Sequence, residues 1–179
     1  MPADIPRRPL FLSWILQTVA ENGVHAVTKR QLIEEFARLK VARDFTGPAI
    51  AGGQRMQIIE GADGLDASID LAFAAMEAAA MAMTQIEGTE LQLLPTCNLS
   101  DVVANEPDLQ KVIDPTGLVL NTMLVPAGPR LAPRPLELKF AHRAFQEFFL
   151  ARFIAKRPND FTSINIPAEV AEWIGEIDL

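Results

Sequence analysis

The apolar residues change period abruptly at His142, and this change constrains the fold more than any other feature of the chain. From Leu136 to Phe140, apolar and polar side chains alternate, as in a strand with one buried face. From His142 to Lys156 the spacing becomes helical, and Phe145 and Phe149 fall on the face that also carries His142. A strand that passes directly into a helix must share a core with it. Phe145, Phe148 and Phe149 are therefore expected to be buried.

Reading outward from that junction gives the other elements. Gly117–Val125 is rich in β-branched residues and is predicted as a first strand, with a Pro- and Gly-bearing loop over 126–135 leading to the strand at 136–140. Leu99-Ser100-Asp101 and Glu106-Pro107-Asp108 offer start signals for two short helices between Asn98 and Ile113. A longer helix is predicted over Asp66–Ile86, with Ile69, Phe73, Met76, Ala80 and Met83 on one stripe and Gly88 ending it. Thr28 and Gln31 have the spacing of a capping box, followed by Leu32, Phe36 and Leu39 in a helix to about Arg43. Pro9 to Asn22 reads as the first helix, with Leu12, Ile15, Leu16 and Val19 apolar and Gly23 as its stop. Residues 44–66 are punctuated by Gly47-Pro48, Gly52-Gly53, Gly61 and Gly64, and read as a connection. The predicted fold is mainly α, a helical bundle followed by a winged-helix-like portion with a small β-hairpin. Three divisions are expected: residues 1–66, a first helical module with its Gly-rich linker; 67–157, the winged-helix-like domain; and 158–179, an acidic C-terminal tail.

Composition narrows the function classes. With 179 residues, 49% of them hydrophobic, the chain can bury a core. Its net charge of −7 weighs against a dedicated nucleic-acid binder, which needs a basic face. The charge is uneven: residues 1–43 carry +3, 44–129 carry −10, 130–157 carry +5 and 158–179 carry −5. The one cysteine, Cys97, excludes an internal disulfide and fits a reducing, cytoplasmic setting. Arg7-Arg8 before Leu10–Ala20 superficially resembles a secretory signal, but Ser13, Gln17 and Thr18 interrupt the apolar run and Pro9 opens it as a helix would. No stretch approaches the ~18 apolar residues of a membrane span.

Several chemistries can be tested against the residues. Gly47 and Gly52 have the Walker A spacing, but Gly53 and Gln54 stand where the motif needs lysine and a hydroxyl residue. With only His25, His142 and Cys97, no zinc spacing and no catalytic triad can be built. Asp63, Asp66 and Asp70 suggest a divalent cation, yet helix-start and loop roles explain them more simply. His142 stands apart. A phosphate at this junction would meet backbone amides, the positive end of the helix dipole and an imidazole. The plainer reading is a histidine that caps or packs the helix.

The segment Phe140-Ala-His142-Arg-Ala-Phe145-Gln146-Glu147-Phe148-Phe149-Leu-Ala151 resembles the Phe-x-His-x-x-Phe-Gln-Glu-Phe-hydrophobic-x-Ala signature of NACHT-type ATPases of the STAND class, which includes bacterial defence ATPases and NOD-like receptors. Arg8-Pro9-Leu10-Phe11-Leu12 is similar to the Pro-Leu-Phe-Leu helix that follows the nucleotide-binding core in that family. The resemblance implies that His142 contacts the β-phosphate of ADP in a closed, resting state and that Pro9 packs near the adenine. It implies ADP or ATP in an intact protein, with no cofactor held tightly by this chain. It further implies a nucleotide-binding core domain, of the same or a partner chain, as partner, with self-association possible. The family's Walker A and Walker B elements are absent from these residues.

The expected function is thus a non-catalytic, nucleotide-sensing and autoinhibitory module of a signalling or defence ATPase, away from membranes and nucleic acid. The alternative is a winged-helix DNA-binding transcriptional regulator using Arg130–Arg134 on the phosphate backbone. A hydrolase built on His142 lacks a paired nucleophile.

Overall fold

The computed structural model describes Ser13, Ala20 and residues 28–46, 65–112, 114–128 and 135–176. Ser13 and Ala20 are both helical; Pro9 and the rest of the expected first helix lie outside the described residues, as do the Gly-rich stretch 47–64 and His25. The fold is mainly helical with two small antiparallel sheets.

Helix α1 spans Lys29–Thr46 and opens on the expected capping box. The Gln31 amide donates to Thr28 Oγ1 at 3.1 Å, and the Thr28 amide donates to Gln31 Oε1 at 3.0 Å. Its buried seam is Leu32, Ile33, Ala37 and Val41, with Phe36 partly buried beside it. The seam is therefore rotated from the expected stripe of Leu32, Phe36 and Leu39. Small Ala37 lets the backbone approach, while Phe36 leans across the edge to stack on Phe145 at 6.1 Å.

Helix α2, Leu65–Ala82, is the central element. Ile69, Phe73, Met76, Ala80 and Met83 are buried as expected, and so are Ala72, Ala75, Ala78 and Ala79. Alanine on the remaining faces lets neighbours pack closely from several sides. The helix stops at Ala82 rather than Ile86: Thr84 Oγ1 donates to the Met81 carbonyl at 2.7 Å, closing the last turn. The chain then forms a hairpin, β1 (Thr84–Glu87) and β2 (Glu90–Leu93), with Gly88 at φ +63° in its turn. Gly88 thus serves a hairpin rather than a helix end, because a left-handed turn residue between strands favours glycine.

The next elements are β3 (Cys97–Asn98), α3 (Leu99–Asn105), a 3₁₀ segment Pro107–Lys111, α4 (Pro115–Leu120), β4 (Leu124–Pro126) and β5 (Glu137–Phe140). The two short helices expected before Ile113 are present. The strand expected over Gly117–Val125 is not: its first half is α4, and pairing begins only at Leu124. A local start signal outweighs β propensity there. Asp114 Oδ1 accepts the Gly117 amide at 2.8 Å and Pro115 supplies the first-turn φ. β5 lies between β3 and β4, with Cys97 opposite Leu138 and Leu124 opposite Phe140. Helix α2, strand β3, helices α3 and α4 and the hairpin β4–β5 thus follow the winged-helix order, with β1–β2 inserted after the first helix.

Helix α5, Arg143–Ala155, closes the unit. The segment expected as an acidic tail carries a 3₁₀ turn, Pro158–Phe161, and helix α6, Ala168–Glu176. Val170 and Trp173 of α6 are buried against the core, so the acids Glu169 and Glu172 mark only its outer face. One apolar cluster runs from Leu32 to Trp173.

Phe149 joins three of these elements: its ring meets Phe73 edge-on at 5.3 Å, Phe148 edge-on at 5.1 Å and Phe140 stacked at 6.2 Å. Phe149→Ala is expected to lower the unfolding free energy by ~3–5 kcal/mol. Urea denaturation followed by circular dichroism measures it; a loss below ~1 kcal/mol would show the ring to be peripheral.

Candidate functional site

The junction between β5 and α5 is built by anchoring on both sides of His142. Phe140 and Phe145 are buried, and the Ala141 amide donates to the Met123 carbonyl at 2.9 Å. His142 itself is extended, at φ −150° and ψ 143°, and is the N-cap of α5. Its Nδ1 accepts the Ala144 amide at 3.1 Å, and its carbonyl accepts the Phe145 amide at 3.1 Å. A neutral imidazole whose Nδ1 accepts carries its proton on Nε2. The cap therefore sets both the ring's orientation and its tautomer. His142 is partly exposed, beside the positive end of the α5 dipole.

The neighbouring residues of the motif divide by role. Phe145, Phe148, Phe149 and Ala151 are core. Gln146 is buried too, and its Nε2 donates to the Leu94 carbonyl at 2.8 Å and the Met83 carbonyl at 3.3 Å. It thereby ties α5 to both ends of the β1–β2 hairpin, a role that sequence reasoning missed. The available signal was a neutral polar residue inside a phenylalanine-rich helix, which when buried must find partners. Glu147 pairs with Arg143 at 2.9 Å on the outer face.

The charged groups at the centre serve the fold. Glu77 is buried on α2, where Arg152 Nε reaches it at 3.0 Å and Lys156 Nζ at 2.6 Å. Arg152 also reaches Glu34 of α1 at 2.8 Å and lies over the Phe73 ring at 5.2 Å. Burial of a carboxylate is tolerable only with such partners.

Other sequence candidates fall away from this junction. Asp66 and Asp70 are exposed, and no group of three or more potential metal ligands occurs among the described residues. Asp63, the Walker-like stretch, Pro9, Arg130 and Arg134 lie outside them. Helix α4 carries no lysine or arginine, and its Leu118 and Val119 are buried. Cys97 is buried on β3; desolvation first, then the nearby Asp101 and Glu137 charges, push its thiol up to about 12.

No protein-family model matches the chain, and no curated protein or solved structure matches it.

Two outcomes follow. His142→Ala removes one cap and is expected to cost ~0.5–2 kcal/mol while leaving the fold intact, read by urea denaturation. Cys97 is expected to resist iodoacetamide at pH 8 in the native chain and react once it is unfolded; rapid native labelling would contradict its burial. Because its folded value lies above the ordinary 9.0, its contribution to stability is complete below pH 9 and disappears as pH rises towards about 12.

Proposed function

We propose that the chain is a non-catalytic regulatory module of a NACHT-type STAND signalling or defence ATPase, sensing the nucleotide state through His142. The observation supporting this most directly is the placement of that histidine. It stands at a helix N-terminus, held between two buried phenylalanines, in the motif register that the family resemblance assigns to an ADP contact. Nε2–H is the donor that the capped tautomer offers to a β-phosphate, with the helix dipole favouring the anion. Pro9 is assigned the adenine side on the resemblance alone. The partner is a nucleotide-binding core domain, and docking onto it with ADP bound would keep the protein in its resting state in the cytoplasm.

DNA binding is the alternative that the winged-helix order admits. It is disfavoured by the net charge of −7 and by the absence of a base on α4.

The test separates capping from sensing. In a protein uniting this chain with a P-loop core, His142→Asn keeps a capping side chain but loses the imidazole. It is expected to weaken ADP binding about ten- to hundredfold, the equivalent of losing one charge-assisted hydrogen bond of ~1.5–3 kcal/mol. Stability should stay within ~1 kcal/mol of the parent. Unchanged ADP affinity and unchanged resting activity would reduce His142 to a cap. Magnesium-dependent ATP turnover by the chain alone, abolished by a point change in it, would overturn the non-catalytic reading. A salt-sensitive shift of duplex DNA would favour the alternative.

A further inference from the structure

We propose that the β1–β2 hairpin is a docking strand for an extended, cationic segment of a partner protein, which adds alongside the outer edge of β1. The hairpin is an insertion in the winged-helix order, and residues 85–90 are exposed throughout. Its hydrogen-bond phase follows from the register. The Leu94 amide donates to the Met83 carbonyl at 2.8 Å, and Thr84 to Glu87 face Leu93 to Glu90 in turn. Antiparallel pairs alternate, so the peptide groups of Gln85 and Glu87 point towards β2 and those of Ile86 point away.

The two outer edges are treated differently. On β2, the outward Leu91 amide donates to the Asn165 carbonyl at 3.2 Å, and the Asn165 amide donates to the Thr89 carbonyl at 2.6 Å. The chain thus covers that edge itself. On β1, the outward amide and carbonyl of Ile86 have no counterpart among the described residues. The Ile86 side chain is 42% exposed, the large apolar side chain that the described residues leave in solvent.

Charge selects the occupant. Ile86 shares one face with Leu91 and Leu93, while Gln85, Glu87, Glu90 and Gln92 occupy the other. Glu87 lies directly opposite Glu90, and although Gln85 Nε2 donates to Glu87 Oε1 at 2.8 Å and Asn165 Nδ2 donates to Glu90 Oε1, neither carboxylate has a cationic partner among the described residues. An added strand would set an apolar residue beside Ile86 and its two neighbours on the glutamate face. The matching pattern is a β-branched residue flanked by lysine or arginine. A second copy of this chain would instead bring one acidic hairpin against another.

The experiment titrates the ¹⁵N-labelled chain with the peptide Lys-Val-Lys-Ile-Lys and, separately, with Glu-Val-Glu-Ile-Glu. The basic peptide is expected to slow hydrogen exchange at the Ile86 amide about tenfold and to shift signals of residues 84–87. Ile86→Pro removes the outward donor while leaving Gln85 and Glu87 to pair with β2. Glu87→Lys inverts the charge without touching the backbone. Each variant should weaken binding at least about tenfold, with an unchanged far-ultraviolet spectrum. An Ile86 amide that stays unprotected at saturating peptide overturns the proposal. Equal binding of the acidic peptide also overturns it, as does a concentration-dependent dimer that protects Ile86 without peptide.

Discussion

The packing of Phe148 and Phe149 against α2 and α6 is the interaction on which the other elements depend. Phe149 meets Phe73 of α2 and Phe140 of β5, while the adjacent Phe148 meets Trp173 of α6 edge-on at 5.6 Å. Two consecutive residues thus point to different sides of α5 and bring a helix, a strand and a later helix onto it. The chain has no tyrosine, so these phenylalanines bring no hydroxyl that would need a partner in the core. The strand-to-helix geometry at His142 follows from this, because Phe140 and Phe145 are fixed on both sides of it.

The burial of apolar surface is itself non-directional, and the polar groups supply the register. Arg152 leaves the same helix to reach Glu77 on α2 and Glu34 on α1, with its guanidinium over the Phe73 ring. Gln146, nearly two turns earlier, fixes α5 against the carbonyls of Met83 and Leu94, where the hairpin leaves and rejoins the core. A helix sliding by one turn would keep much of its apolar contact but would orphan the buried Glu77 carboxylate and these carbonyls. That penalty distinguishes the native arrangement from other compact ones.

Elements whose causes are local were legible in the sequence. The Thr28–Gln31 box, the alternation of β5 and the periodicity of α5 each lie within a few residues, and each appears where expected. Where two local signals compete, the cap prevails: β-branched residues after Gly117 favour a strand, but Asp114 and Pro115 start a helix. Where the cause is distant, the sequence was nearly silent. The acids of α6 hide that Val170 and Trp173 complete a core begun by α1, and Ile86 reads as a helix end although it lies in β1. The resolution at Ile86 depends on Gly88 accepting a positive φ and on Asn165 arriving from far along the chain.

The same contrast bears on His142. Its position as a cap was readable from the change of period, and the cap exists at Nδ1. Capping and ligand sensing are often set against each other as explanations for a histidine. The cap uses Nδ1, whereas the proposed phosphate contact would use Nε2. The amide of Ala144 holds Nδ1 as an acceptor and thereby leaves Nε2 as the protonated nitrogen, the form required for donation to a phosphate oxygen. A freely rotating imidazole at the same site would divide between tautomers and orientations, and would lose part of any contact energy to ordering. The cap is therefore the structural precondition of the proposed sensor. A cap of ~0.5–2 kcal/mol, as expected for this residue, would leave the proposed sensor free of any duty to hold the fold together.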